Sequence, residues 1–124
     1  MHLSLVLSLL LLAAETDRPS VVLVVGASGA PEFGEQFQQW SARWQQSVGG
    51  TGAGLTVIGA ASLLEKEADG SGSATPSDHD RLRDHLAAEA QEGGAPLWLV
   101  LIGHGTFDGK HAKFNLRGPD VADQ

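Results

Sequence analysis

Cysteine is absent from all 124 residues, and that absence removes several chemistries at once. It excludes disulfides, thiolate metal sites and a cysteine-linked lipid anchor, and it leaves the chain without a thiol nucleophile. Basic residues are scarce. Eight Lys and Arg stand against fifteen Asp and Glu, for a formal net charge of −7. They form no cluster, which speaks against nucleic acid or an anionic membrane surface as a partner. A long hydrophobic run is missing too. The apolar stretch at residues 3–14 (LSLVLSLLLLAA) would rise only about 18 Å as a helix, against roughly 30 Å of bilayer hydrocarbon. No membrane anchor is expected from it, and no internal repeat divides the rest.

That stretch instead has the length of a secretory h-region, with Ala13 and Ala14 as small residues at its end. Its n-region is only Met1 and His2, and Leu12 stands where a small residue is usual. Residues 1–14 are expected to be removed on export, leaving 15–124 as one domain of a secreted or periplasmic protein. About 110 residues can bury a modest core.

What is present reads as alternating strands and helices. Residues 21–25 (VVLVV) form a β-branched run without polar alternation, the pattern of a strand buried on both faces. Gly26 ends it, and Pro31 suits a first helical position with Glu32 beside the positive helix end. Phe33, Phe37, Trp40, Trp44 and Val48 then recur at helical spacing, and Gly49 and Gly50 stop them. The spacing predicts a helix over 32–48 that packs these aromatics into the core. Residues 55–59 (LTVIG) read as a second strand. Residues 61–68 allow a helical turn or two, and 69–74 (DGSGSA) a flexible loop.

Thr75 as cap, Pro76 at the first position and Asp78 at the third predict another helix start. Leu82, Leu86 and Ala90 share its apolar face, and Gly93 and Gly94 end it. Residues 97–102 (LWLVLI) read as a third strand, again apolar throughout, and residues 114–116 (FNL) as a further short element. This alternation predicts an α/β fold with a parallel sheet and helices on its faces. The segments 26–35 and 103–109 should meet at the C-terminal edge, where sites of such sheets form. A sheet of three parallel strands leaves both edges open, so a larger domain is expected.

The sharpest chemical signal is Gly103-His104-Gly105-Thr106, directly after the third strand. An imidazole titrates near pH 6.5 when unperturbed, which suits proton transfer. Gly105 has no side chain to shield its amide from a developing oxyanion. A turn histidine that merely caps the strand is the plainer alternative.

Residues 98–116 (WLVLIGHGTFDGKHAKFNL) resemble the histidine segment of the caspase-hemoglobinase-like cysteine peptidases. That group includes caspases, legumain-type peptidases and the catalytic subunit of the GPI transamidase. The pair Lys113-Phe114 is similar to one found in the legumain-type branch, and residues 21–29 (VVLVVGASG) resemble its first strand and loop. The resemblance implies a three-layer sandwich whose first strands lie in the order 2-1-3. It also implies a peptide or protein substrate, no cofactor and no metal. His104 would be the catalytic base and Gly105 an oxyanion donor. The nucleophilic cysteine would follow the next strand, beyond Gln124, so this chain is expected to be the front portion of a peptidase and inactive alone. One departure stands out. The legumain-type arginine after strand one has no counterpart, since residues 30–35 are APEFGE. Preference for asparagine or aspartate is therefore in doubt, and Glu32 or Glu35 would favour a basic substrate residue unless both are simply helix-start acids.

Three other readings stay open. A dinucleotide-binding domain would use the turn after VVG, yet Glu32 occupies the third glycine's position and no acid closely follows Ile58. The nucleophile elbow Gly-x-Ser-x-Gly fails, because Ala30 stands two residues after Ser28. A metal site could draw on His104, Asp108 and His111, or on Asp78, His79 and Asp80, but neither set has a recognised ligand spacing. His79 and His85 read as solvated or half-buried helix positions. Finally, the chain could be a non-catalytic, caspase-like binding module.

Overall fold

The computed structural model describes residues 18–59, 75–92 and 94–123. The expected export signal at 1–14, the helical turn at 61–68 and the loop at 69–74 lie outside the described residues. A three-stranded parallel sheet forms from β1 (Ser20–Val25), β2 (Gly54–Ile58) and β3 (Leu97–Ile102), in the order β2-β1-β3. Helix α1 (Pro31–Gly49) connects β1 to β2, and α2 (Asp78–Glu92) precedes β3. The chain is thus α/β with the expected strand order.

Side chains alternate across the sheet, so β1 feeds two separate apolar clusters. Leu23 and Val25 join Phe37 of α1 and Ile102 of β3 on one face. Val22 and Val24 join Ile58, Leu82 of α2 and Leu116 on the other. The two helices therefore pack on opposite faces, and β1, with Val21 to Val25 all buried, is the centre of both. No helix among the described residues is long and apolar enough to cross a membrane.

A second sheet was not anticipated. Strands β4 (Gly105–Phe107), β5 (Ala112–Phe114) and β6 (Val121–Ala122) form an antiparallel meander. Phe114, Leu116 and Val121 pack it onto the Val22 cluster, beside Leu86. A bidentate ion pair fastens it to α2. Arg117 Nε and Nη2 donate to the carboxylate of Asp78, at 3.0 and 3.1 Å, and Asp78 is buried.

Three expectations about packing need correction. Of the aromatics on α1, Phe37 is buried, but Phe33, Trp40 and Trp44 are about two-fifths exposed. The buried line of the helix runs through Gly34, Phe37, Ser41 and Val48. Gly34 and Ser41 are small, so the helix approaches the sheet along them. At about 100° per residue this rotates the contact line roughly 50° away from the middle of the stripe. On α2, Leu82 is buried, Leu86 is half-buried and Ala90 is exposed. The start of α2 also shifts. Ser77, not Thr75, is the cap: its Oγ accepts the Asp80 N–H at 3.1 Å and donates to the Asp80 carboxylate at 2.8 Å. Pro76 thus precedes the cap instead of opening the helix, and Ser77 satisfies one of the free N–H groups of the first turn.

Candidate functional site

The ends of β1 and β3 carry glycines because a third element crosses them. A Cβ at Gly103 would lie 2.8 Å from the Phe114 ring, and one at Gly26 would run into the carbonyl oxygen of Asn115. The Gly26 N–H donates to Ile102 O at 2.8 Å, and the Ala27 N–H donates to Asn115 O at 3.0 Å. The Asn115 N–H donates to His104 O at 2.9 Å. Residues 26–28, 103–105 and 114–115 are therefore tied together at the C-terminal edge of the parallel sheet. Phe114, of the Lys113-Phe114 pair, fills the space that the two glycines leave open.

On this platform the His104 ring is half-buried against the first turns of α1. Phe33 meets it edge-on, with ring centroids 4.7 Å apart and planes at 90°, and Phe37 lies 5.2 Å away at 59°. His104 Nε2 is 3.1 Å from the carbonyl oxygen of Ser28. A carbonyl only accepts, so the nitrogen facing it carries the proton. The neutral ring then has its lone pair on Nδ1. The loop after β1 thus selects the tautomer, as a carboxylate does in a serine-type triad. Ser28 contributes its backbone and not its hydroxyl, and among the described residues no hydroxyl hydrogen-bonds this ring.

Gly105 opens β4, the edge strand of the second sheet. Asn115 N–H to His104 O, and Asp108 N–H to His111 O at 3.2 Å, mark 104/115 and 108/111 as hydrogen-bonded pairs. Antiparallel pairs alternate, so Gly105, opposite Phe114, is a non-bonded pair. Its N–H therefore points away from β5. It is exposed and one residue from the His104 ring.

The metal combinations do not assemble. Asp108 and His111 lie in the β4–β5 turn, where the Asp108 carboxylate accepts N–H bonds from Lys110 at 2.9 Å and His111 at 2.8 Å. The His111 and then the Lys110 backbone N–H hold the Asp108 carboxyl below its ordinary value. Asp108, His111, Lys113, Ala122 and Asp123 line a depression of about 370 Å³ that does not include His104. Asp78 is occupied by Arg117, Asp80 by the Ser77 cap, and among the described residues no three metal-type side chains converge. His79 and His85 are half-buried on α2, and Glu32 and Glu35 are exposed on α1.

Sequence reasoning identified His104 and Gly105 but missed the Ser28 carbonyl, the Phe33 ring and the Asp78–Arg117 pair. A backbone carbonyl leaves no residue-type signal, and the helical spacing of Phe33 points to the core with the rest of its stripe. No family model, curated protein or solved structure matches the chain.

Proposed function

We propose that this chain supplies the histidine half of a cysteine-type endopeptidase site, in a caspase-like three-layer domain that acts on peptide or protein substrates. The observation that carries the reading is the hydrogen bond from His104 Nε2 to the Ser28 carbonyl, which leaves Nδ1 as a free base at the sheet edge. The strand order, the outward Gly105 N–H and the packing of Phe114 under Gly103 support it.

In this reading Nδ1 takes the proton of a cysteine thiol. The ring becomes an imidazolium, and its Nε2–H bond to Ser28 becomes charge-assisted and stronger. The thiolate attacks the peptide carbonyl, and the Gly105 N–H faces the oxyanion. The C–N bond then breaks as Nδ1–H protonates the departing amine, and water, deprotonated by the same nitrogen, releases the acyl group. The thiol is the one reacting group this sequence lacks. Glu32, in the first turn of α1, opposes the nucleotide-binding reading, because a carboxylate there repels pyrophosphate.

The test is enzymatic. The 124-residue chain is expected to hydrolyse no peptide. A polypeptide in which this sequence continues through a cysteine-bearing strand is expected to do so, and His104→Ala in it should cost at least about 10²–10⁴-fold. His79→Ala and His85→Ala, on α2, should leave turnover within a few-fold. Equal losses from all three substitutions, or a silent His104→Ala, would remove the peptidase reading. The export proposal is checked separately, by mass spectrometry of exported protein, which should find an N-terminus near Glu15.

A further inference from the structure

The sequence neighbours of His104 are Gly103 and Gly105, so neither offers a side chain that limits the rotamers of the ring. Its backbone, by contrast, is fixed, because the His104 carbonyl accepts the Asn115 N–H at 2.9 Å. What holds the ring must come from other elements. One constraint is the Nε2–H bond to the Ser28 carbonyl, at 3.1 Å. A hydrogen bond in competition with water favours one ring position by only roughly 2–12-fold.

Two aromatic rings on successive turns of α1 supply the rest. Phe37 lies 5.2 Å from the imidazole, and its place is explained by the core, since it is buried among Leu23, Val25 and Ile102. Phe33 is different. It is 40% exposed and belongs to neither buried cluster. Among the described residues its ring contacts are with His104, at 4.7 Å and 90°, and with Phe37, at 6.4 Å and 32°. The turn that carries it is anchored. Pro31 sets the first φ of the helix, the Gly34 N–H donates to Ala30 O at 3.2 Å, and Gly34 is buried. A first turn fixed in this way sets Phe33 beside the imidazole and not in the core.

We infer that Phe33 is a positioning residue for His104. Its ring helps to keep Nε2 on the Ser28 carbonyl, with Nδ1 turned away from that oxygen. An edge-to-face aromatic pair favours its geometry by about the same factor as the hydrogen bond, so Phe33 contributes as much to the hold as the carbonyl does. The part played by Nδ1 as a base rests on the peptidase reading, whereas the hold of Phe33 on the ring does not.

NMR of the ¹³C,¹⁵N-labelled 124-residue chain reads the ring directly. Three-bond couplings to the His104 Cγ report its χ1 rotamer, and exchange of the Nε2 proton with water reports how often the hydrogen bond opens. The parent should show one rotamer. Phe33→Ala should average the couplings and speed the exchange by about 2–12-fold, the weight of one edge-to-face pair. Phe33→Tyr, which keeps the ring, should match the parent. Trp44→Ala removes an aromatic of equal exposure, 41%, from the same helix and should change neither reading. Phe33→Leu should shift both readings in the direction of alanine, and it decides the question if the alanine variant loses its circular dichroism. Parental couplings and exchange in the alanine variant, or in leucine where it stands in, would overturn the proposal. So would the same change in Trp44→Ala.

In a polypeptide extended through a cysteine-bearing strand, Phe33→Ala should lower kcat by a similar factor at unchanged KM, because Phe33 touches the base and not the substrate. A raised KM at unchanged kcat would make Phe33 a substrate contact and overturn the positioning role. A silent His104→Ala in that polypeptide would remove the peptidase reading and leave the ring measurements standing.

Discussion

β1 and β3 are both six-residue strands of almost purely apolar composition, and the structure treats them in opposite ways. Leu23 of β1 has no exposed surface, whereas Leu99 of β3 keeps 45% of its own. The difference is position in the sheet. β1 has a strand on each side and a helix on each face, so every side chain meets a partner. Among the described residues β3 has one neighbouring strand, and within β3 only Ile102, at its C-terminal end beside the site, is buried. Apolar composition states a demand for burial, and topology decides where the single chain meets it.

The comparison breaks most readily at its centre. Leu23→Ala should lower stability by about 2–5 kcal/mol, as a cavity in a closed core does. Leu99→Ala should cost under about 1 kcal/mol in dilute solution, since nearly half the side chain is already in water. Chemical denaturation measures both. Equal losses for the dilute chain would mean that β3 is covered in the single copy.

The strand ends sharpen the contrast, because there β1 and β3 behave alike. Gly26→Ala and Gly103→Ala each push a methyl group into the residues that cross them, Asn115 and Phe114. Each should destabilise by about 1–3 kcal/mol, the usual cost of overpacking. Gly103→Ala with Phe114→Leu should recover part of the loss, which thermal melts would show. Failure of that rescue would mean that Gly103 is required for backbone freedom and not for space.

The strand positions and the arrival of His104 at the sheet edge were legible because apolar runs, glycines and helical spacing are local signals, whereas the 2-1-3 order came only from the family resemblance. Residues 97–102 were read as β3 with the bounds now observed. The finer packing was not legible. Which line of α1 touches the sheet depends on Gly34 and Ser41, two small residues that a hydrophobic stripe ignores. Strands of two or three residues, such as β4 to β6, are too short to carry periodicity. The Asp78–Arg117 pair spans 39 positions and leaves no pattern along the chain.

The smallest effect lies outside the parallel sheet, in the turn after β4. Backbone N–H groups of His111 and Lys110 lower the Asp108 pKa, so its carboxylate contributes stability above the unfolded value of about 3.9. That contribution is lost as pH falls through the lower folded value. Asp108→Asn should therefore melt slightly below the parent chain at pH 6, and the two should converge in acid, once the pH is below the lowered folded value. A difference that persists in acid would point to hydrogen bonding alone.

The most direct test of the account is the protonation state of one ring. Two-dimensional ¹⁵N NMR of histidine-labelled protein in mildly alkaline buffer reads which nitrogen carries the proton, with His104→Gln supplying the assignment. The account predicts a proton held on Nε2 by the Ser28 carbonyl and a bare Nδ1. A bare Nε2, with the proton on Nδ1, would contradict it, because the nitrogen assigned as the base would then have no lone pair to offer.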